Sequence, residues 1–170
     1  VRTAALSAVA AKRLARPDAS VAAFIGCGVQ AHSHLAAFAS MYPLKEVRVF
    51  GRGQANIEAL CAAAAKLGLP STVCETGAEA LAAADLIITS VTFSATLEPF
   101  LDAGEMKTGS FAAVTDLAVP WIKDSFKALD RVIIDDMAQE AILPNKLVDP
   151  DVVDGDISGL VLGDAAGRAS

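Results

Sequence analysis

Residues 21–35 read VAAFIGCGVQAHSHL, an apolar run that stops at Gly26-Cys27-Gly28-Val29-Gln30-Ala31. Small residues at this G-x-G-x-x-A spacing can bring an anion against bare backbone. Gly26 allows a sharp turn off a strand, Gly28 lacks the Cβ that would block a pyrophosphate, and Ala31 lets a helix pack close to the strand. The free N–H groups and the positive dipole end of the helix that follows then face the phosphates. The spacing predicts dinucleotide binding by Gly26, Cys27, Gly28, Val29 and Gln30. The alternative is a glycine turn that only packs tightly.

Other positions extend this reading. Phe50-Gly51-Arg52 ends the next apolar run without a carboxylate, and Glu46 stands at its wrong end. An acidic residue there would bond the ribose hydroxyls of NAD, whereas an arginine accommodates the 2′-phosphate of NADP. Gly51 and Arg52 therefore point to NADP(H), with NAD(H) as the second option and a solvated loop arginine as the plain one. Thr89, Ser90, Val91 and Thr92 cluster where a third site loop is expected. Their hydroxyls and backbone can meet the cofactor near the nicotinamide ribose, or serve ordinary turn chemistry. Asp116 stands where an apolar run meets its exit loop, so it can face the crevice and move a proton, or bond nearby backbone N–H groups. Arg2 can grip a substrate carboxylate or simply lie in solvent. His32 and His34 are two apart and off one helix face, and no Cys/His/carboxylate cluster accompanies them, so no metal is expected. The motifs of triad hydrolases and phosphate-loop NTPases are missing.

These residues need a frame. Residues 1–15 are alanine-rich and helix-prone, and Pro17 stops them. Strands are expected at 21–25, 46–50, 71–74, 86–90 (running on into 91–92), 110–114 and 131–134. Helices are expected from His32 to 41, then over 54–67, 77–84, 125–129 and 138–143, with a last one within 152–162. Strand and helix alternate at βαβ spacing. The predicted fold is a doubly wound, mostly parallel Rossmann-type sheet in three α/β/α layers. Ligands bind outside the carboxyl edge of such a sheet, so the loops after Ile25, Phe50 and Ser90 should converge.

At 170 residues the chain reads as one domain with room for a real core. Net charge is −6, which argues against a nucleic-acid surface. No apolar run reaches the roughly 18 residues of a membrane span. Cys27, Cys61 and Cys74 lack metal-type spacing and fit small buried thiols in a reducing, cytoplasmic setting. The start at Val1 and the abrupt end at Gly167-Arg168-Ala169-Ser170 suggest a piece of a longer, two-domain protein.

The chain resembles the ornithine cyclodeaminase/mu-crystallin family. The resemblance rests on Arg2-Thr3-Ala4-Ala5, on the turn at 25–31 followed by His34-Leu35, and on VRVFGR at 47–52. It continues through Glu98-Pro99, Lys107-Thr108-Gly109, Ala113-Val114-Thr115-Asp116, residues 131–135 and residues 163–170. It implies that Arg2 binds a substrate carboxylate, that Asp116 transfers a proton, and that the glycine turn holds the pyrophosphate. It implies an imine or ketimine reductase or amino-acid dehydrogenase, taking an amino acid or cyclic imine and dimerising when full-length. Family alternatives are a cyclodeaminase that recycles its NAD, and a non-catalytic, NADPH-linked binder of the crystallin type. Two departures stand out. Thr115 precedes the aspartate where a glycine-containing turn is usual, and Leu117-Ala118-Val119-Pro120-Trp121 replaces P-G-K/R-x-E-L.

Overall fold

The computed structural model describes residues 2–94, 96–144 and 146–168. Five strands form the main sheet: β1 (Val21–Ile25), β2 (Glu46–Phe50), β3 (Ser71–Val73), β4 (Leu86–Thr89) and β5 (Phe111–Val114). All pair in parallel, in the order β3-β2-β1-β4-β5. The helices are α1 (Arg2–Leu14), α2 (Val29–Met41), α3 (Gln54–Lys66), α4 (Gly77–Ala83), α5 (Met137–Ile142) and α6 (Ile157–Leu162).

Period-two alternation along the strands sorts the core into two layers. Ala22, Phe24, Val47, Val49, Leu86 and Ile88 face one side, where Ala11, Leu35, Phe38 and Leu60 of α1, α2 and α3 cover them. Ala23, Ile25 and Ile87 face the other, against Ala80 and Leu81 of α4 and against Leu101, Trp121 and Phe126. The central strands β1 and β4 are thus buried on both faces and are continuous apolar runs for that reason, whereas β2 alternates and β3 at the edge is largely exposed.

Two polar fasteners hold the frame. On α2, buried His34 places Nδ1 2.8 Å from the Gln30 carbonyl and Nε2 2.9 Å from the Ser7 hydroxyl of α1. A carbonyl only accepts, so Nδ1 carries the proton and Nε2 accepts from Ser7. Burial lowers the His34 pKa and keeps the ring neutral. At the amino edge of the sheet, Asp85 (4% exposed) accepts from the Ser20 and Val21 N–H groups at 2.9 and 3.1 Å and from Lys107 at 2.6 Å. Burial alone would raise its pKa, but Lys107 and the two N–H donors more than offset this and bring it down to about 2.

Several elements differ from the sequence reading. Helix α2 starts at Val29, not His32, because Gly26-Cys27-Gly28 alone completes the turn and Gly28 is already the N-cap. Strand β4 ends at Thr89, and residues 90–92 are loop. The strand expected over 131–134 shrinks to β6 (Ile133–Ile134), paired with β7 (Gly155–Asp156) in a separate two-stranded sheet. There the Asp154 carboxylate takes the Val132 N–H at 2.8 Å and Arg131 at 3.1 Å, so Val132 has no donor left for a ladder. The last helix does lie within 152–162, as expected; it begins at Ile157, where the Asp156 side chain caps the Gly159 N–H. The helix expected over 125–129 is a 3-10 segment, Lys123–Ala128. Val1 at the start, and Ala169-Ser170 at the end of the 163–170 match, lie outside the described residues.

Candidate functional site

The carboxyl ends of β1, β2 and β4 surround a cleft of about 430 Å³. It sits where the chain, having laid β2 and β3 on one side of β1, crosses to lay β4 on the other. Such a switch point is where doubly wound sheets bind ligands.

The two glycines of the turn do different work. Gly26 has φ +92, and a Cβ there would lie 2.5 Å from the Ser90 carbonyl oxygen. It serves the close packing of two loops, which the Ser90 hydroxyl reinforces by donating to the Gly26 carbonyl at 3.2 Å. A Cβ on Gly28 would meet nothing within 4 Å, and Gly28 lines the cleft. Behind it, the first turn of α2 holds no acidic residue and no side-chain cap. Its leading N–H groups are left to an outside acceptor, which is the arrangement an anion requires. Cys27 is packed so closely that a Cβ on Gly51 would fall 2.8 Å from its Sγ. Burial, with Cys61 as a lesser influence, pushes the Cys27 thiol up to about 11, so it stays protonated and inert.

Arg52 is exposed beside Gly51, Gly53 and Asn56 at the cleft wall. Among the described residues it has no ion pair or hydrogen bond. Phe50 and Phe100 meet edge to face at 5.8 Å and, with Leu97, form an apolar wall. Sequence reasoning missed Asn56, Leu97 and Phe100. Asn56 and Leu97 carry no motif, and Phe100 comes from a long β4–β5 connection that reads as plain loop.

Asp116 is 8% exposed and lies just behind the cleft, not on its surface. Its Oδ2 accepts from the N–H of cleft-lining Val91 at 3.0 Å, and its Oδ1 accepts from the Thr89 hydroxyl at 3.1 Å. Thr89 Oγ1 in turn accepts from the Trp121 indole N–H at 3.2 Å. Burial raises the Asp116 pKa from its ordinary value, against the opposing pull of the Val91 and Thr89 donors. Leu117 and Ala118 follow with φ of +57° and +56°, a left-handed turn built without glycine.

The structure thus brings Gly26, Cys27, Gly28, Gly51, Arg52, Ser90 and Val91 to one cleft. Thr89 and Asp116 form the buried layer behind it. Val29 is exposed at the start of α2, and Gln30 reaches Thr3 of α1 at 3.4 Å. Arg2 is exposed on α1.

The model of the ornithine cyclodeaminase/mu-crystallin family matches residues 1–117. The chain belongs to that family. Over 142 residues it is 34% identical to the ketimine reductase mu-crystallin of Mus musculus, a match covering 84% of this chain and 41% of the mouse protein. Among solved structures, the Thermococcus litoralis Δ1-pyrroline-2-carboxylate reductase, in complex with NADH and L-proline, superposes with a TM-score of 0.85 at 23% identity. That match covers 99% of this chain and 55% of the reductase. The iminosuccinate reductase of Paracoccus denitrificans, in complex with NAD+, gives a TM-score of 0.73 at 28% identity, covering 99% and 54%. The chain spans about half the length of these proteins, and its fold is that of their Rossmann-type dinucleotide-binding domains.

Proposed function

We propose that this chain is a single dinucleotide-binding domain serving an oxidoreductase that reduces imines or ketimines, with NADP(H) as the preferred cofactor. The observation that carries the reading is the cradle at Gly28: open space where a Cβ would stand, backed by the uncapped N-terminus of α2. A pyrophosphate fits there, and the Phe50–Phe100 wall offers an adenine apolar surface. When bound, the nicotinamide supplies or takes a hydride.

The residues of the chain do the rest. Gly28 and the first N–H groups of α2 bind the phosphates. Ser90 and Val91 hold the backbone edge that meets the nicotinamide ribose. Asp116 holds or moves the proton, and burial raises its pKa from the ordinary aspartate value. Arg2 of α1 binds the carboxylate of an amino-acid or cyclic-imine substrate, and the longer protein pairs as a homodimer. Neither a metal nor a nucleic acid takes part. Among the described residues no helix is long and apolar enough to cross a membrane.

NADP(H) is favoured because β2 ends without a carboxylate and Arg52 stands there unengaged by any described residue. NAD(H) is the second reading, supported by the ligands of the two solved relatives. Equilibrium titration with NADPH and NADH decides between them. NADPH should bind more tightly, and Arg52→Ala should weaken NADPH by about 10–100-fold while leaving NADH nearly unchanged. Equal losses for both would remove Arg52 from the role and favour NAD(H).

A further inference from the structure

We propose that Trp121 and Thr89 are positioning residues for Asp116. They form a hydrogen-bond chain, indole to hydroxyl to carboxylate, that fixes the orientation of the carboxyl behind Val91 and favours its ionised form. The inference rests on the reading of Asp116 as the proton-transfer group.

Direction is dictated by chemistry. An indole N–H can only donate, so Trp121 fills an acceptor site of Thr89 Oγ1. Among the described residues, the Thr89 hydroxyl proton has one acceptor, Asp116 Oδ1. Thr89 is wholly buried, so water does not compete for it. The chain thus holds one carboxyl oxygen through Thr89, while the other, Oδ2, accepts from the Val91 N–H at 3.0 Å, and Val91 lines the cleft. The far end of the chain is anchored independently. Trp121 is 1% exposed, lies 5.6 Å from the Phe126 ring, and its backbone N–H donates to the Ala118 carbonyl at 3.1 Å within the left-handed turn.

The groups facing Asp116 are uncharged. None of the described ion pairs includes it. Beyond Trp121, the Lys123 ammonium donates to the Lys146 carbonyl and Asp124 pairs with Lys127. Asp85 precedes β4, at the opposite edge of the sheet. The Asp116 carboxyl thus answers to Thr89, Val91 and its own turn.

The test is a carboxyl 13C NMR titration of the chain labelled at aspartate, with Asp116→Asn identifying the signal. Thr89→Val should raise the Asp116 midpoint by about one pH unit, since a donor to the ionised form is lost. Trp121→Phe keeps a ring against Phe126 but unpolarises the hydroxyl, and should move the midpoint the same way by less. Thr89→Ser should restore the original midpoint. A midpoint unmoved by Thr89→Val or by Trp121→Phe overturns the chain of positioning, as does failure of Thr89→Ser to restore it. Trp121→Phe decides alone should Thr89→Val not fold. The underlying reading fails separately: retained NADPH oxidation by Asp116→Asn in the longer enzyme, with a cyclic imine carboxylate as probe, would remove the proton-transfer role.

Discussion

At the scale of single residues, Gly26 and Gly28 separate two demands that one motif superimposes. Gly26→Ala should destabilise the fold by about 2 kcal/mol or more, because its Cβ would meet the Ser90 backbone and its φ is left-handed. Gly28→Val should change stability by less than about 0.5 kcal/mol, because its Cβ enters open space and its φ of −82 suits any residue. Dinucleotide affinity should respond in the reverse order, with Gly28→Val losing tenfold or more on an otherwise native fold. Thermal unfolding and nucleotide titration of the two variants check both halves. The glycines and Arg52 were legible in the sequence because local backbone chemistry places them. The surroundings of Asp116 were less so. Its position at the end of β5 could be read, but its withdrawal behind Val91 depends on Thr89 and Trp121, respectively 27 and 5 residues away in the chain. The turn that presents Trp121 uses Leu117 and Ala118 at positive φ, where no glycine signals it.

At the scale of elements, the five main strands and the helices α1 to α4 were expected within a few residues, because apolar runs at β1 and β4 and period-two alternation at β2 stand between glycine and proline breaks. Signal failed where side chains compete with backbone. Asp154 takes the Val132 N–H and truncates β6, and Asp156 restarts the chain as α6. Aspartates in loops can do either job or neither, and the choice is made by partners distant in sequence. The start of α2 illustrates the opposite case. Helical geometry begins as soon as the glycine turn ends, so the N–H groups of Val29 and Gln30 follow directly on Gly28, which lines the cleft. This puts the helix N-terminus closer to Gly28 than a start at His32 would allow.

At the scale of the whole molecule, the sheet has a ligand edge and a fastened edge. Asp85, at the fastened one, joins the approach to β1 with Lys107 before β5. Its folded pKa, about 2, lies below its ordinary 3.8. The stability it contributes is therefore fully present above about pH 4 and is lost as pH falls toward 2. Asp85→Asn should cost about 2 kcal/mol at neutral pH, mostly by weakening the acceptor of two buried N–H groups, since Lys107 is partly exposed and can regain water. The deficit relative to the unaltered chain should shrink through pH 3 to a small remainder at pH 2 in denaturant titrations. A deficit at pH 2 as large as that at neutral pH would assign the loss to packing instead of charge. Trp121 has a separate consequence. It is the one tryptophan in the chain, so every photon of indole emission originates two hydrogen bonds from Asp116. Reduced nicotinamide absorbs where indole emits. The molecule therefore carries its own optical gauge, placed in the layer directly behind the cleft it would report on.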